Sequence, residues 1–531
     1  MIKDEILKNL AEALEKINVK DVVLTLEKPA NTDFGDYSSS LPLKLTKQLK
    51  KNPMTISEEI VKNFPKNDSI KKIEIVKPGF INFWIADVQL INRLTEVVEK
   101  NFIYPEYYFG KNKKLMIEFA HPNTHKLFHI GHLRNISTGE TLVRILEAVG
   151  NKVIRSNYEG DVGLHIAKCL YGIKNSEFII QNSESLQKKI EFIGKMYSTG
   201  TKAYEDDPKA KEEILKINKM IYEKDPKIMP LWTETRAWSL EYFEENYKRF
   251  YSHFDRYYFE SEFYKRGVES LGFPTYEGKE LALAEKEFSD FGELDKIIHT
   301  VTPEQTSFFK VTFKVEELID EKKYKNKQYH LAYEWVKLKA GKMSSREGNV
   351  IEANWLIDEV KKKISEKFNC DEETTEILAV ASVKYSFLKN GTQTIIHFDI
   401  DESIAVDGNS APYLIYTYVR CQSVLNKVKH NSQNSLNSLN SLIINTDESN
   451  VLRLINQFPE IVEQAAIQLA PNLIANYLYD LAQKYNYFYQ KNKILESEET
   501  TKQFRLMLTQ ATGKVIKEGL YLLGIKTVEK M

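Results

Sequence analysis

At 531 residues the chain is several times the ordinary domain length of about 100–200 residues, so more than one core is expected. Its 74 Lys and Arg against 75 Asp and Glu leave a net charge of −1, which excludes a polycation that binds nucleic acid through bulk charge and confines any polyanion site to a local patch. With 42% hydrophobic and 28% charged residues the chain has material for packed cores and a soluble surface, which excludes disorder as its main state.

The first stretch, MIKDEILKNLAEALEKI, reads as an amphipathic helix. It lacks both the apolar run of a signal peptide and the acid-poor bias of a transit peptide, so a cytoplasmic address is expected. KDVVLTLEK, IKKIEIVK and FINFWI follow as strand-like runs, with turn signals between them in NTDFGDY and KPGF, and predict a small α+β domain over residues 1–105. From GKNKKLMIEF onward, β-type runs (KLMIEFA, NKVIRSNY, DKIIHTVT, YHLAYEWVKL) alternate with helical stretches. This is the pattern of a Rossmann-type parallel sheet with crossover helices, expected over 106–360. Within it, about 176–264 turn helical, charged and aromatic, and predict an insertion between strands. After Val350 no strong strand pattern recurs. VLRLINQFPEIVEQAAIQL and PNLIANYLYDLAQKYNYFYQ, with Leu473, Tyr477 and Leu481 four apart, predict an all-α bundle over 361–531. HNSQNSLNSLNSLIINTDES reads as a flexible surface loop at about 430–449. Cys169, Cys370 and Cys421 are isolated, so neither structural zinc nor a disulfide framework is expected, and no apolar run reaches the roughly 18 residues of a membrane span.

Two motifs carry chemistry. In IEFAHPNTHKLFHIGHLRN, Ile117 to Asn135, an apolar strand runs into a polar loop, and His129-Ile130-Gly131-His132 then opens a helix. Gly131 permits close approach of a phosphate or nucleoside, and the helix N-terminus offers unpaired N–H groups. The two histidines, about one turn apart, can both hydrogen-bond one anionic group. The second motif is GKMSSREGNV, Gly341 to Val350, where Lys342, Ser344, Ser345 and Arg346 put two cations and two hydroxyls on one polar loop suited to closing on a triphosphate. Alone, an H-x-G-H is equally an ordinary histidine pair and a K-M-S-S run a solvated basic turn. Their order, with a strand before and a long insertion between, is what points to nucleotide chemistry.

With these residues the chain resembles a class I aminoacyl-tRNA synthetase, and specifically the arginyl-tRNA synthetase family, over nearly its whole length. NTDFGDYSSSLPLKL and KPGFINFW are similar to that family's N-terminal domain, which touches the tRNA elbow. HPNTHKLFHIGHLRN, NYEGDVGLHIAK and KMSSREGNV are similar to its catalytic signatures, and FDIDESIAVDGNSAPYLIYTYVRCQSVL with GLYLLGIKTVEKM to its anticodon-binding helices. The resemblance implies ATP-dependent ligation of L-arginine to tRNA(Arg) through an arginyl-adenylate. Mg²⁺ would accompany ATP, without zinc or a dedicated metal site, in a monomer away from membranes. It assigns ATP to His129, Gly131, His132, Lys342, Ser344, Ser345 and Lys126. Arginine falls to Glu118, Asn123, His132, Tyr276, Glu280 and Gln305, with Glu280 one methylene longer than the family's usual Asp. A planar, permanently charged guanidinium suits such a carboxylate pocket. Candidate tRNA contacts are Phe34, Asp36, Tyr37 and Asn82 near the N-terminus, and Tyr413, Tyr416 and Arg420 at i, i+3 and i+7 of a helix. Rival readings are another class I synthetase, a small-molecule nucleotidyltransferase sharing H-x-G-H, or a non-catalytic RNA-binding paralogue. The missing cysteine clusters, the long helical C-terminal part and the intact His129, Gly131, His132 and Lys342 speak against these in turn.

Overall fold

The computed structural model describes residues 2–29, 31–99, 112–178, 180–181, 183–271, 276–339, 351–428 and 442–531. The chain divides into two compact units, each threaded from three segments. The first takes residues 1–103, 424–458 and 483–514, and the second takes 104–423, 459–482 and 515–531.

In the first unit, α1 (Ile2–Lys16) buries Ile6, Leu10, Ala13 and Leu14 along one stripe. β1 (Tyr37–Ser39), α2 (Leu41–Leu49), α3 (Pro53–Asn63), β2 (Ile70–Val76), β3 (Phe80–Ile85) and α4 (Asp87–Glu99) follow, and the strands form an antiparallel sheet in the order β1-β3-β2. Asn52 starts α3 by accepting the Met54 N–H at 2.9 Å, with Pro53 in the first turn where no N–H is needed. KDVVLTLEK, expected as a strand, pairs only through Glu27 in a single bridge to Ser38, and Val23 is exposed. β1, the strand it meets, is three residues long and offers no longer ladder. The later segments tie back by hydrogen bonds. Arg453 pairs with the buried Asp36, Asn456 donates to Leu90 O, and Lys514 Nζ donates to Val97 O and Val98 O at the end of α4.

The second unit is built on β4 (Lys114–Glu118), α5 (Ile130–Ala148), β5 (Lys152–Glu159) and α6 (Leu164–Lys174), followed by the insertion helices α7 (Leu186–Asp206), α8 (Pro208–Tyr222) and α9 (Met229–Arg249). The chain re-enters the sheet at β6 (Arg256–Phe259), so the insertion ends before residue 264, the expected limit. α10 (Glu260–Leu271), α11 (Tyr276–Phe291), β7 (Lys296–Val301), α12 (Thr306–Ile319), α13 (Glu321–Tyr324) and β8 (Gln328–Ala332) complete a parallel five-stranded sheet in the order β6-β5-β4-β7-β8. Helices cover both faces, which is why β4 and β7 read as nearly unbroken apolar runs.

YHLAYEWVKL, expected as one strand, breaks in two, because the Glu334 N–H turns to Thr392 O and β9 (Val336–Leu338) pairs instead with β10 (Ile396–Phe398). That short parallel pair is a strand beyond Val350 that the sequence pattern did not announce. The remaining helices are α14 (Ala353–Lys367), α15 (Glu372–Leu388), α16 (Ile400–Ser403), α17 (Ala411–Asn426), α18 (Thr446–Gln468), α19 (Asn472–Lys491) and α20 (Glu499–Leu522). α15 is buried almost all round from Leu378 to Leu388. Its Lys384 donates at 2.7 Å to both Phe250 O and Gly524 O, which fastens the last segment of this unit. Of the expected loop at 430–449, residues 430–441 lie outside the described residues, and α18 already begins at Thr446. No helix among the described residues is long and apolar enough to cross a membrane.

Candidate active site

The strand order reverses at β4: from it the chain steps outward to β5 and β6 on one side and then crosses back to β7 on the other, so a crevice opens over the carboxyl ends of β4 and β7. Residues 119–129, which join β4 to α5, cross it in a strained path. Ala120, His121 and His125 have φ of 82°, 50° and 64°, a region that costs a non-glycine residue about 1–3 kcal/mol. Side chains of neighbouring elements hold that path. The Ala120 N–H donates to Asn135 Oδ1 at 2.8 Å, the His121 N–H to Asn157 Oδ1 at 3.1 Å and the His125 N–H to Ser239 Oγ at 3.0 Å. Asn135 also donates to Thr300 O, tying the loop to the end of β7. Asn123 rests on Gly160, where a Cβ would stand 2.2 Å from Asn123 Oδ1.

His129 and His132 make a reciprocal cap on α5. The His129 Nδ1 accepts the Gly131 N–H at 3.1 Å, and the His132 Nδ1 accepts the His129 N–H at 3.0 Å. A backbone N–H can only donate, so in the neutral rings the proton sits on Nε2. Burial and the Lys126 charge push His129 down to about 4. Burial, then His129, His121 and Lys126, hold His132 well below its ordinary range. The rings lie 3.8 Å apart and each has one N–H donor left to offer. A Cβ on Gly131 would stand 2.9 Å from the His129 ring, so the glycine makes room for the cap.

This helix start is paired with the chain that follows the second motif. The Ile130 N–H donates to Ile351 O, the Ala353 N–H to Phe128 O, and His129 bridges Glu352. Lys342, Ser344, Ser345 and Arg346 themselves lie outside the described residues. The Lys126 Nζ sits 5.4 Å from the Tyr197 ring and lines a cavity of about 360 Å³ with His165, Lys168, Tyr222 and Lys279.

The expected acids converge nearby. Glu118 ends β4 and is 2% exposed, and Glu280, on α11, is 7% exposed. Both face His299 of β7, whose Nδ1 is 3.0 Å from Glu118 Oε1 and 4.0 Å from Glu280 Oε1. Two further buried acids, Glu287 of α11 and Glu316 of α12, complete the group, and neither Glu287 oxygen has a hydrogen-bond donor. Burial would raise Glu118, but the His299 charge and hydrogen bond outweigh it and hold the carboxyl below its ordinary value. Burial and the neighbouring acids lift Glu280 to about 8 and Glu287 well above the usual range, and burial lifts Glu316 to about 7. Tyr276 opens α11, with its side chain outside the described residues. Gln305 lies exposed in a short turn beyond β7. His299, Glu287, Glu316 and Gln328 belong to the cluster but are absent from the residues the sequence singled out. The seven-residue spacing of Glu280 and Glu287, two helical turns, was the one available signal.

The candidate RNA contacts separate. Phe34 is 47% exposed, whereas Asp36, Tyr37 and Asn82 are buried. Asp36 accepts the Ile85 N–H at 2.7 Å and pairs with Arg453, Asn82 accepts from Ser38 Oγ, and Tyr37 pairs with Phe83 in the β1–β3 ladder, so these three are engaged within their own unit. On α17, Tyr413 packs edge-on against Tyr479, while Tyr416 is exposed and carries the Arg420 guanidinium 4.8 Å above its ring.

Among the described residues, no group of three or more His, Cys, Asp and Glu side chains is set to hold a metal ion. Family models match three stretches: "Arginyl tRNA synthetase N terminal domain" at residues 3–85, "tRNA synthetases class I (R), catalytic domain" at 93–271 and "DALR anticodon binding domain" at 414–531. The chain is 31% identical to the arginine–tRNA ligase of Fusobacterium nucleatum, over 97% of this chain and 96% of that one. It is 30% identical to the arginine–tRNA ligase of Borrelia hermsii, over 100% and 99%. Its fold is similar to that of Thermus thermophilus arginyl-tRNA synthetase, with a TM-score of 0.83 at 21% identity over the full length of both chains. Relatives matched from end to end, on a parallel sheet whose switch point carries the paired histidines and the buried acids, place this chain in the class I arginyl-tRNA synthetase family.

Proposed function

We propose that the protein joins L-arginine to tRNA(Arg), with ATP as the energy source, in two displacements. An oxygen of the arginine carboxylate bonds to the α-phosphorus and the bond to the β-phosphate oxygen breaks, giving arginyl-adenylate and pyrophosphate. A hydroxyl of the terminal tRNA ribose then bonds to the arginyl carbonyl carbon and AMP leaves. The protein contributes orientation and charge stabilisation rather than covalent help. The neutral His129 and His132 each offer one Nε2–H to phosphate oxygens over Gly131, and Lys126 adds a cation beside them. Lys342 meets the β- and γ-phosphates, and Ser344 and Ser345 position that loop. The pairing of Ile351 and Ala353 with Phe128 and Ile130 supports this, because it brings the exit of the motif to the histidine cap. The histidine cap offers N–H donors rather than free lone pairs, so it meets the nucleotide directly, and Mg²⁺ would travel on the nucleotide's phosphates.

Glu118 and Glu280 bind the guanidinium with Tyr276 as an aromatic wall, while Asn123, His132 and Gln305 orient the α-amino and carboxylate end. In this reading residues 1–105 meet the tRNA elbow, with Phe34 on the surface, 106–360 carry the chemistry, and 361–531 meet the anticodon, with Tyr416 and Arg420 as a stacking face. In this reading the enzyme works as a monomer in the cytoplasm. The observation that carries the substrate assignment is the convergence of Glu118 and Glu280 on one buried point at the switch of the sheet. ATP–pyrophosphate exchange, measured with each amino acid with and without tRNA, tests it. Exchange is expected with arginine only and to depend on tRNA, whose binding completes the site. Equal exchange with lysine or citrulline would overturn the assignment.

A further inference from the structure

The register of the sheet sets a histidine beside the acid assigned to the substrate. β4 and β7 run parallel with Glu118 opposite His299, so the two side chains leave the same face at the carboxyl end of the sheet. His299 Nδ1 lies 3.0 Å from Glu118 Oε1, and Nε2 lies 2.9 Å from Gln328 Oε1. The Gln328 amide is oriented by its NH₂, which donates to Glu316 Oε2 at 2.8 Å; turned over, it would set oxygen against the ionised form of Glu316. A ring with both nitrogens facing oxygen acceptors is satisfied only when both carry protons. His299 is therefore an imidazolium. It is 1% exposed and flanked by Phe309 and Phe313, with ring centroids at 5.1 and 5.3 Å, so it cannot swing out to solvent.

The groups around it are Glu118 from β4, His121 from the loop that follows, Glu280 and Glu287 from α11, Glu316 from α12 and His330 from β8. One resident cation thus faces four carboxyls. Glu118 spends Oε1 on His299; among the described residues no nitrogen or hydroxyl donor reaches its buried Oε2, and the only other hydrogen-bonding neighbour of the Glu118 carboxyl there is the Glu287 carboxyl, a contact the substrate would displace.

We propose that His299 is a positioning residue for guanidinium recognition: its imidazolium holds Glu118 as a carboxylate by one oxygen and leaves the other, Oε2, as the acceptor that meets the substrate. The inference rests on the reading of Glu118 and Glu280 as the arginine pocket. Without the imidazolium, Glu118, crowded by the three other carboxyls, takes up a proton and turns an O–H toward a substrate that can only donate.

His299→Gln keeps an amide donor for Glu118 and removes the charge. In aminoacylation by the full-length enzyme, its KM for arginine at pH 7 is expected to rise about tenfold or more, as for a lost charge-assisted hydrogen bond. The kcat and the KM for ATP should stay within about twofold, and the defect should shrink as pH rises from 7 to 9, because higher pH favours the carboxylate that the imidazolium otherwise holds. An unchanged arginine KM at pH 7, or a defect of the same size at both pH values, overturns the proposal. Glu118→Gln separates the two layers. If it raises the arginine KM while His299→Gln does not, this inference alone fails; if it too leaves the KM unchanged, the pocket reading fails. Should His299→Gln fold poorly, neutron diffraction from the wild-type protein decides: deuterium on both ring nitrogens of His299 supports the proposal, and deuterium on only one overturns it.

Discussion

Burial and neighbouring acids lift the Glu280 carboxyl to about 8, so near neutrality it is mostly protonated while the pocket is empty. In the proposed pocket arginine would bring a permanent charge that favours the carboxylate, so binding should expel the proton, and the affinity for arginine should climb as pH rises toward 8 and then level off. Calorimetry at pH 7 in two buffers of different ionisation enthalpy should find close to one proton released per arginine bound. Glu280→Gln should abolish that release and raise the arginine KM roughly ten- to hundredfold, the value of a charge-assisted hydrogen bond of about 1.5–3 kcal/mol. Proton uptake on binding would sink the assignment. The histidine cap divides two roles that one residue combines. Asparagine is a good N-cap, so His129→Asn should keep close to wild-type thermal stability while losing the Nε2–H donor and about 10²-fold in the rate of adenylate formation. His129→Ala should lose the same rate and, in addition, about 1 kcal/mol of stability by chemical denaturation. If His129→Asn stays fully active, the ring is a cap and nothing more.

The loop between β4 and α5 depends on Gly160 for its shape. Gly160→Ala would drive a methyl into Asn123 Oδ1, and this overpacking should cost about 1–3 kcal/mol. Under the proposed function, with Asn123 at the amino-acid end and the histidine cap at the nucleotide, it should also raise the arginine KM with little change in that for ATP. Steady-state kinetics beside a urea titration checks both, and equal changes in the two KM values would argue against that division. The elements that were readable in advance are those whose signal is local. Leu115, Met116 and Ile117 make β4 an unbroken apolar run because helices cover both its faces, and the turn into His129 announced the start of α5. KDVVLTLEK alternates as a strand does, but strandhood needs a partner, and the three residues of β1 supply one bridge. YHLAYEWVKL hides its break because what turns Glu334 away is Thr392, nearly sixty residues on. His299 was invisible for a related reason: one histidine in DKIIHTVT reads as a core exception until the register sets it opposite Glu118. Asp36 and Asn82 misled in the other sense, as polar residues that looked available and are consumed by a backbone N–H, a guanidinium and a hydroxyl.

Each compact unit is closed by residues far along the chain, and the Asp36–Arg453 pair in the first unit tests how much that closure contributes. Arg453→Met leaves a buried carboxylate facing no cation and should destabilise the protein by about 3–5 kcal/mol. Asp36→Asn added to it keeps an acceptor for the Ile85 N–H and should recover part of the loss in a denaturant titration. A double variant no more stable than the single one would show that the pair carries little. The same threading imposes an order in time. The first 103 residues leave the ribosome long before Arg453 and Lys514 exist to close their unit, and 411 residues separate position 103 from position 514. At about 5–20 residues per second that interval is roughly 20–80 s. For most of it Asp36 lacks its counter-ion, and until its end the carbonyls at the end of α4 lack their lysine, so the nascent N-terminal part waits, incompletely closed, for the translation machinery to deliver its missing pieces.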